Sequence, residues 1–198
     1  MHHPPTEPHS RIPSGSLAVA EASSKVTHKP SLVPTIRSLR KTLTIRHVSG
    51  HRIAALLEIV SAANKDRKQH IDQLLNKMEG ALVNGVHLLI VDLFPPGKHD
   101  SHGIHAALWN RLGDEADGPP VHKPLTLASY LADTAMTANW EYLSVGSALP
   151  DMPLFLDPDY HVTTPLESTY MTAWQSTPEP YREVLEMPLA TPRRKRGR

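Results

Sequence analysis

Between residues 42 and 94 the rhythm of apolar and polar positions changes repeatedly, and each change predicts an element. In 42-TLTIRHV-48 β-branched and apolar residues dominate, and 49-SGH-51 supplies turn chemistry. The run 52-RIAALLEIV-60 is again apolar and of strand length, so the pair predicts an antiparallel hairpin whose second, buried arm carries Glu58. From Ile71 the spacing becomes helical. Ile71, Leu74, Leu75, Met78, Ala81 and Leu82 recur at three- and four-residue intervals, while Lys68, Asp72, Asn76, Lys77 and Glu79 fall largely on the wet side. Gly85 stands where a left-handed C-terminal cap is expected. The run 86-VHLLIVDLF-94 is too short for a core helix and stops at Pro95 and Pro96, which predicts a buried strand. Strand, crossover helix and strand then form a right-handed βαβ unit, with 52–60 and 86–94 as parallel partners or near neighbours.

Further along, 103-GIHAALWNRLG-113 predicts a short helix ending at glycine and 114-DEADGPP-120 a loop. The stretch 125-LTLASYLA-132 fits strand or helix, with its Thr, Tyr and alternation favouring strand, and 139-NWEYLSVG-146 predicts another strand. The prolines of 149-LPDMPLFLDPDYHV-162 predict extended chain wrapping the domain outside any central ladder. A final helix is expected over 165-PLESTYMTAWQ-175, with Thr164 as cap, Pro165 in the first turn and Leu166, Tyr170, Ala173 and Trp174 as the apolar face. The fold class is therefore α/β: a central mixed sheet of about five or six strands, one main helix, a C-terminal helix and Pro-rich wrapping segments. Residues 1–34, rich in Pro, His and Ser, read as a tail, 35–187 as a single domain, and 188–198 as a basic tail.

Composition narrows the function. The chain has no cysteine, which removes disulfides and thiolate metal sites and is compatible with a reducing cytoplasm. No long apolar run and no signal-peptide pattern appear, so a soluble cytoplasmic protein without a membrane role is the expectation. The net charge of +1 conceals a division. Of 21 basic residues, six lie in 1–41 and five in 193-RRKRGR-198, leaving 10 against 18 acidic residues in 42–192, a balance of −8. A body this acidic is poorly suited to a nucleic acid duplex. The basic C-terminal tail alone is suited to nucleic acid or another acidic partner, against the plainer reading of a solvated terminus. Gly-rich phosphate loops, nucleophile elbows and dinucleotide fingerprints are lacking.

The order of hairpin, 57-LEIVSAANK-65, amphipathic helix with Lys77, and 85-GVHLLIVDLFPPG-97 resembles a bacterial domain-of-unknown-function family, numbered four thousand and fifty-eight. The likeness continues through 124-PLTLASY-130 and 148-ALPDMPLFLDPDYHV-162 to 165-PLESTYMTAW-174, with Ala62 where that family usually has proline. More remotely the pattern is similar to Uma-type nucleases of the restriction-endonuclease-like, PD-(D/E)-x-K superfamily. There, two acids on adjacent strands hold Mg²⁺ and a lysine assists at the phosphate. The resemblance implies a restriction-endonuclease-like core in which Glu58 matches the second acid. Val60 occupies the lysine slot, so a lysine role passes to Lys65 or Lys77. No Asp precedes Asp66 and no Pro-Asp pair precedes Glu58, so the first acid has no counterpart.

Each candidate residue carries a functional and a plainer reading. Glu58 is a metal ligand or general base, or a buried carboxylate paired with Lys65 or Lys77. Asp92, at the C-terminal end of a parallel strand, is the second Mg²⁺ ligand or fixes the 95-PPG-97 turn. Ser61 and Asn64 read as turn and capping residues. His99, His102 and His105 have a spacing open to zinc. Trp109, Trp140, Trp174, Tyr142 and Tyr170 read as isolated core or rim aromatics. The first expectation is an uncharacterised bacterial protein acting as a non-catalytic binding or interaction module on a degenerate nuclease-like core. The alternative is a Mg²⁺-dependent nuclease or phosphodiesterase using Glu58 and Asp92, with Lys65 or Lys77 assisting.

Overall fold

The computed structural model describes residues 42–48 and 50–186, all within one compact unit. The two expected tails and residues 35–41, 49 and 187 of the expected domain lie outside the described residues. A hairpin of β1 (Thr42–Arg46) and β2 (Ile53–Ile59) opens the fold, followed by a short helix α1 (Ala62–Lys65) and the main helix α2 (Lys68–Val83). Then come β3 (His87–Asp92), α3 (Gly103–Arg111), β4 (Leu125–Leu131) and β5 (Thr137–Leu143). The five strands form one mixed sheet in sequence order, with β2 and β3 parallel and the other neighbours antiparallel. The predicted βαβ unit is therefore present, and the α/β class with it.

Alternation along the strands assigns the two faces. On one, Val60, Leu88, Ile90, Ala128 and Tyr130 pack with Ile71, Leu74, Leu75, Met78 and Leu82 of α2 and with Ile104 and Leu108 of α3. On the other, Ala55, Leu57, Leu89, Val91 and Leu127 meet Met152 and Leu154. Every residue of β3 is buried, because this strand contributes to both cores. The end of α2 is closed as its sequence predicts. Gly85 takes φ +72°, its N–H donates to the Leu82 carbonyl, and the Val86 N–H reaches back to Ala81.

Three expectations need correction. The Pro-punctuated segment is not a wrapping strap: β6 (Met152–Asp157) and β7 (Tyr160–Thr164) form a separate two-stranded antiparallel sheet over the second core. Pro153 pairs with Thr163 there, and its carbonyl accepts from the Ser129 hydroxyl. Both strands of a two-stranded ribbon are edge strands, and the Pro153 carbonyl points away from β7 toward Ser129, so the missing N–H on that side costs no ladder bond. Thr164 does not cap α4 (Leu166–Gln175), since it is paired with Met152 at the end of β7 and Pro165 takes the capping position. The expected apolar face of α4 is not buried either, with Tyr170 51% exposed. A further helix, α5 (Glu179–Glu186), follows it.

Candidate functional site

Glu58 lies on the inner strand β2, 4% exposed and on the face covered by α2. The β1 residue opposite it is Thr42, whose hydroxyl donates to Glu58 Oε2 at 2.5 Å. From α2, Lys77 Nζ donates to the same oxygen at 2.5 Å and also to the Thr42 hydroxyl oxygen. The helical stripe explains Lys77: it borders the buried line of Leu74 and Met78, and its side chain, 36% exposed, leans back over the sheet. Of the two lysines expected to pair with Glu58, Lys77 does so.

Lys65 pairs elsewhere. The Ser61 N–H and hydroxyl both donate to Asn64 Oδ1, at 2.8 and 2.7 Å, and this local lock sets α1, from whose end Lys65 projects. Lys65 Nζ donates to Asp92 Oδ2 at 2.9 Å and to the Phe94 carbonyl at 2.8 Å. It also lies 2.8 Å from Asp100 Oδ2, an ion contact whose angle is too oblique for a hydrogen bond. The side chains of Lys65, Asp92 and Asp100 are 7%, 3% and 0% exposed. Asp92 Oδ1 takes the Phe94 N–H at 3.2 Å, and Asp100 Oδ1 takes the Gly97 N–H at 2.8 Å, so the cluster also pins the 95-PPG-97 turn. Burial pushes the Asp92 carboxyl above its ordinary range. Lys65 and the Phe94 N–H pull it back, while the Asp100 charge adds to the upward push.

Thus Glu58 and Asp92 share a sheet face on adjacent parallel strands, since Glu58 is in register with Ile90. Each is nonetheless held by a different lysine. An ion shared by Glu58 Oε2 and Asp92 Oδ2 would have to displace both ammonium groups. Among the described residues, no group of three or more His, Asp or Glu is placed to hold a metal ion. The histidine spacing does not converge: His99 and His102 are exposed and His105 is buried.

His105 belongs to an aromatic cluster that corrects the expectation of isolated rings. Its ring centroid lies 4.9 Å from Trp140, 5.7 Å from Tyr130 and 6.2 Å from Trp109. Its Nδ1 is 2.6 Å from the Tyr130 hydroxyl, and its Nε2 is buried without a hydrogen bond. Burial lowers the His105 pKa to about 4 and raises that of Tyr130, so both are neutral at pH 7. His87 is also pushed down by burial, and its Nδ1 accepts the Ala132 N–H. Near α3 an open cavity of about 640 Å³ is lined by His102, Asn110, Asp114, Glu115 and Asp117. Gly118 packs against His102, one of these lining residues, where a Cβ would come within 2.9 Å of the His102 carbonyl oxygen. None of Glu58, Lys65, Lys77 or Asp92 lines that cavity.

Asp100 and Thr42 are the site residues that sequence reasoning missed. Asp100 follows a proline-glycine turn with no apolar rhythm to place it, and Thr42 opens an edge strand as an ordinary β-former. The only signal available was register: Thr42 sits as far before the 49-SGH-51 turn as Glu58 sits beyond it. No family model, curated protein or solved structure matches the chain.

Proposed function

We propose that the chain is a non-catalytic binding or interaction module built on a degenerate nuclease-like core. The observation that carries this reading is the state of Glu58: its carboxylate is buried and engaged by Lys77 and Thr42, and the residue facing it on β1 is a threonine. A two-acid metal site needs a second carboxylate free to share an ion with Glu58, and β1 offers none. Val60 in the superfamily's lysine slot is buried in the helix-side core, which supports the same reading. Incubation of the native chain with Mg²⁺ or Mn²⁺ and single-stranded DNA, duplex DNA, RNA or bis(p-nitrophenyl) phosphate should give no cleavage above buffer. Metal-dependent cleavage that is lost in Glu58→Gln would overturn the reading.

The second reading is a Mg²⁺-dependent nuclease or phosphodiesterase using Glu58 and Asp92. One observation favours it: the two acids stand on one face of adjacent parallel strands, two residues apart in register. The same assay with Asp92→Asn decides it. If the basic tail 193-RRKRGR-198 contacts nucleic acid, its removal abolishes a salt-dependent retention on DNA or RNA that the native chain shows.

A further inference from the structure

The only place among the described residues where two buried carboxylates meet one ammonium is the Lys65 cluster. Three oxygens surround Lys65 Nζ at 2.8–2.9 Å: Asp92 Oδ2, the Phe94 carbonyl and Asp100 Oδ2. The charge count is unbalanced, since two carboxylates face one ammonium and leave one negative charge uncompensated. Asp100 Oδ2 makes no aligned hydrogen bond, although its side chain is fully buried. Lys65 meets this oxygen as an ion pair at 2.8 Å, and a spherical charge with no directional N–H suits three converging oxygens at least as well as an ammonium does.

We propose that Asp92 Oδ2, Asp100 Oδ2 and the Phe94 carbonyl form a divalent-cation site that the chain fills with its own Lys65 ammonium, so that shortening Lys65 opens it to Ca²⁺ or Mg²⁺. A divalent ion brings the two carboxylates to neutrality. Carboxylate and backbone carbonyl oxygens are the donors that such hard ions take. Ca²⁺ is the better fit. Its oxygen distances of about 2.3–2.6 Å ask the cage to contract by only a few tenths of an ångström, whereas Mg²⁺ at about 2.0–2.1 Å asks for more. Phe94, which contributes the carbonyl, is 40% exposed and is the most open of the residues around the cage. Lys65 thereby does in the native chain what a metal does elsewhere: it ties the end of α1 to the end of β3 and to the loop through Asp100. This holds whether or not the core cleaves phosphodiesters.

The test uses the full chain, native and with Lys65→Ala, Lys65→Met or Lys65→Ala with Asp100→Asn, in isothermal titration and urea unfolding with CaCl₂ or MgCl₂. Lys65→Ala should bind one Ca²⁺ at roughly 10⁻⁴–10⁻³ M, because two carboxylates are a small charge count for such a site. Its urea midpoint should rise on adding calcium. Native chain and Lys65→Met, whose stem still fills the cage, should show neither effect. Adding Asp100→Asn to Lys65→Ala should weaken calcium at least tenfold. If Lys65→Ala folds only with calcium, the proposal stands. It is overturned by a folded Lys65→Ala chain that binds no divalent ion, by one left unfolded in calcium and in buffer alike, or by calcium affinity indifferent to Asp100→Asn.

Discussion

At the scale of single residues, Glu58 is a charge placed where a strand would otherwise bury Val or Leu, and Lys77 is what makes it tolerable. Removing one partner strands the other. Lys77→Ala should cost about 2 kcal/mol in urea unfolding, below the roughly 3–5 kcal/mol of a fully buried pair because Lys77 is 36% exposed. Lys77→Met with Glu58→Gln should recover most of that loss, and a double variant as unstable as the sum of its parts would dismiss the coupling. His105 supports a pH prediction. Its folded pKa, about 4, lies below the ordinary 6.5, so the stability that its neutral form contributes is intact above pH 6.5 and is lost as the pH falls. Between pH 7.5 and 5 the penalty reaches about 2 kcal/mol, from roughly 1.4 kcal/mol per unit. His87 works in the same direction. Comparing native chain with His105→Gln, the stability gap should narrow by about that amount at pH 5; a gap independent of pH would mean that His105 is not held neutral.

At the scale of elements, what could be read in the sequence was what repeats. The α2 stripe, its glycine cap and the buried run of β3 each rest on several residues that agree, and all three are where the pattern placed them. Gly85→Ala should therefore cost about 1 kcal/mol, since a Cβ at φ +72° is strained even with open space around it. Elements punctuated by proline were misread, because proline forbids a central ladder but not a ribbon such as β6 and β7. Leu154 shows the consequence: it is 4% exposed and seals the second core from a segment expected to lie loosely over the surface. Leu154→Ala should cost roughly 2–4 kcal/mol, against less than 1 for an exposed strap, measured by thermal or urea unfolding. The candidate site was half legible for a related reason. Glu58, Lys65, Lys77 and Asp92 stand out as charges breaking an apolar rhythm. Which lysine meets which acid depends on the direction in which α1 and α2 leave the sheet, and Asp100 depends on a loop that has no rhythm at all.

At the scale of the whole molecule, the sheet separates two cores that have no apolar side chain in common, one toward α2 and α3 and the other toward β6. Two cores of this kind could melt separately. What joins them is β3, with Leu88 and Ile90 in one core, Leu89 and Val91 in the other, and both neighbours hydrogen-bonded along its length. A strand cannot lose the packing on one face without loosening the ladder that presents the other, so unfolding should be a single transition. The optical handle is favourable. Trp109 and Trp140 lie around His105 on the helix side, and the β6–β7 ribbon lies on the opposite face. In a Trp174→Phe background, Leu154→Ala should lower the urea midpoint seen by tryptophan fluorescence as much as the midpoint seen by far-ultraviolet circular dichroism. Leu75→Ala, on the helix side, should do the same. Coincident midpoints would mean that damage on one face is felt in full on the other through β3. A tryptophan signal unmoved by Leu154→Ala, beside a circular dichroism curve split in two, would mean that the β6–β7 ribbon and its core fold as a separate unit.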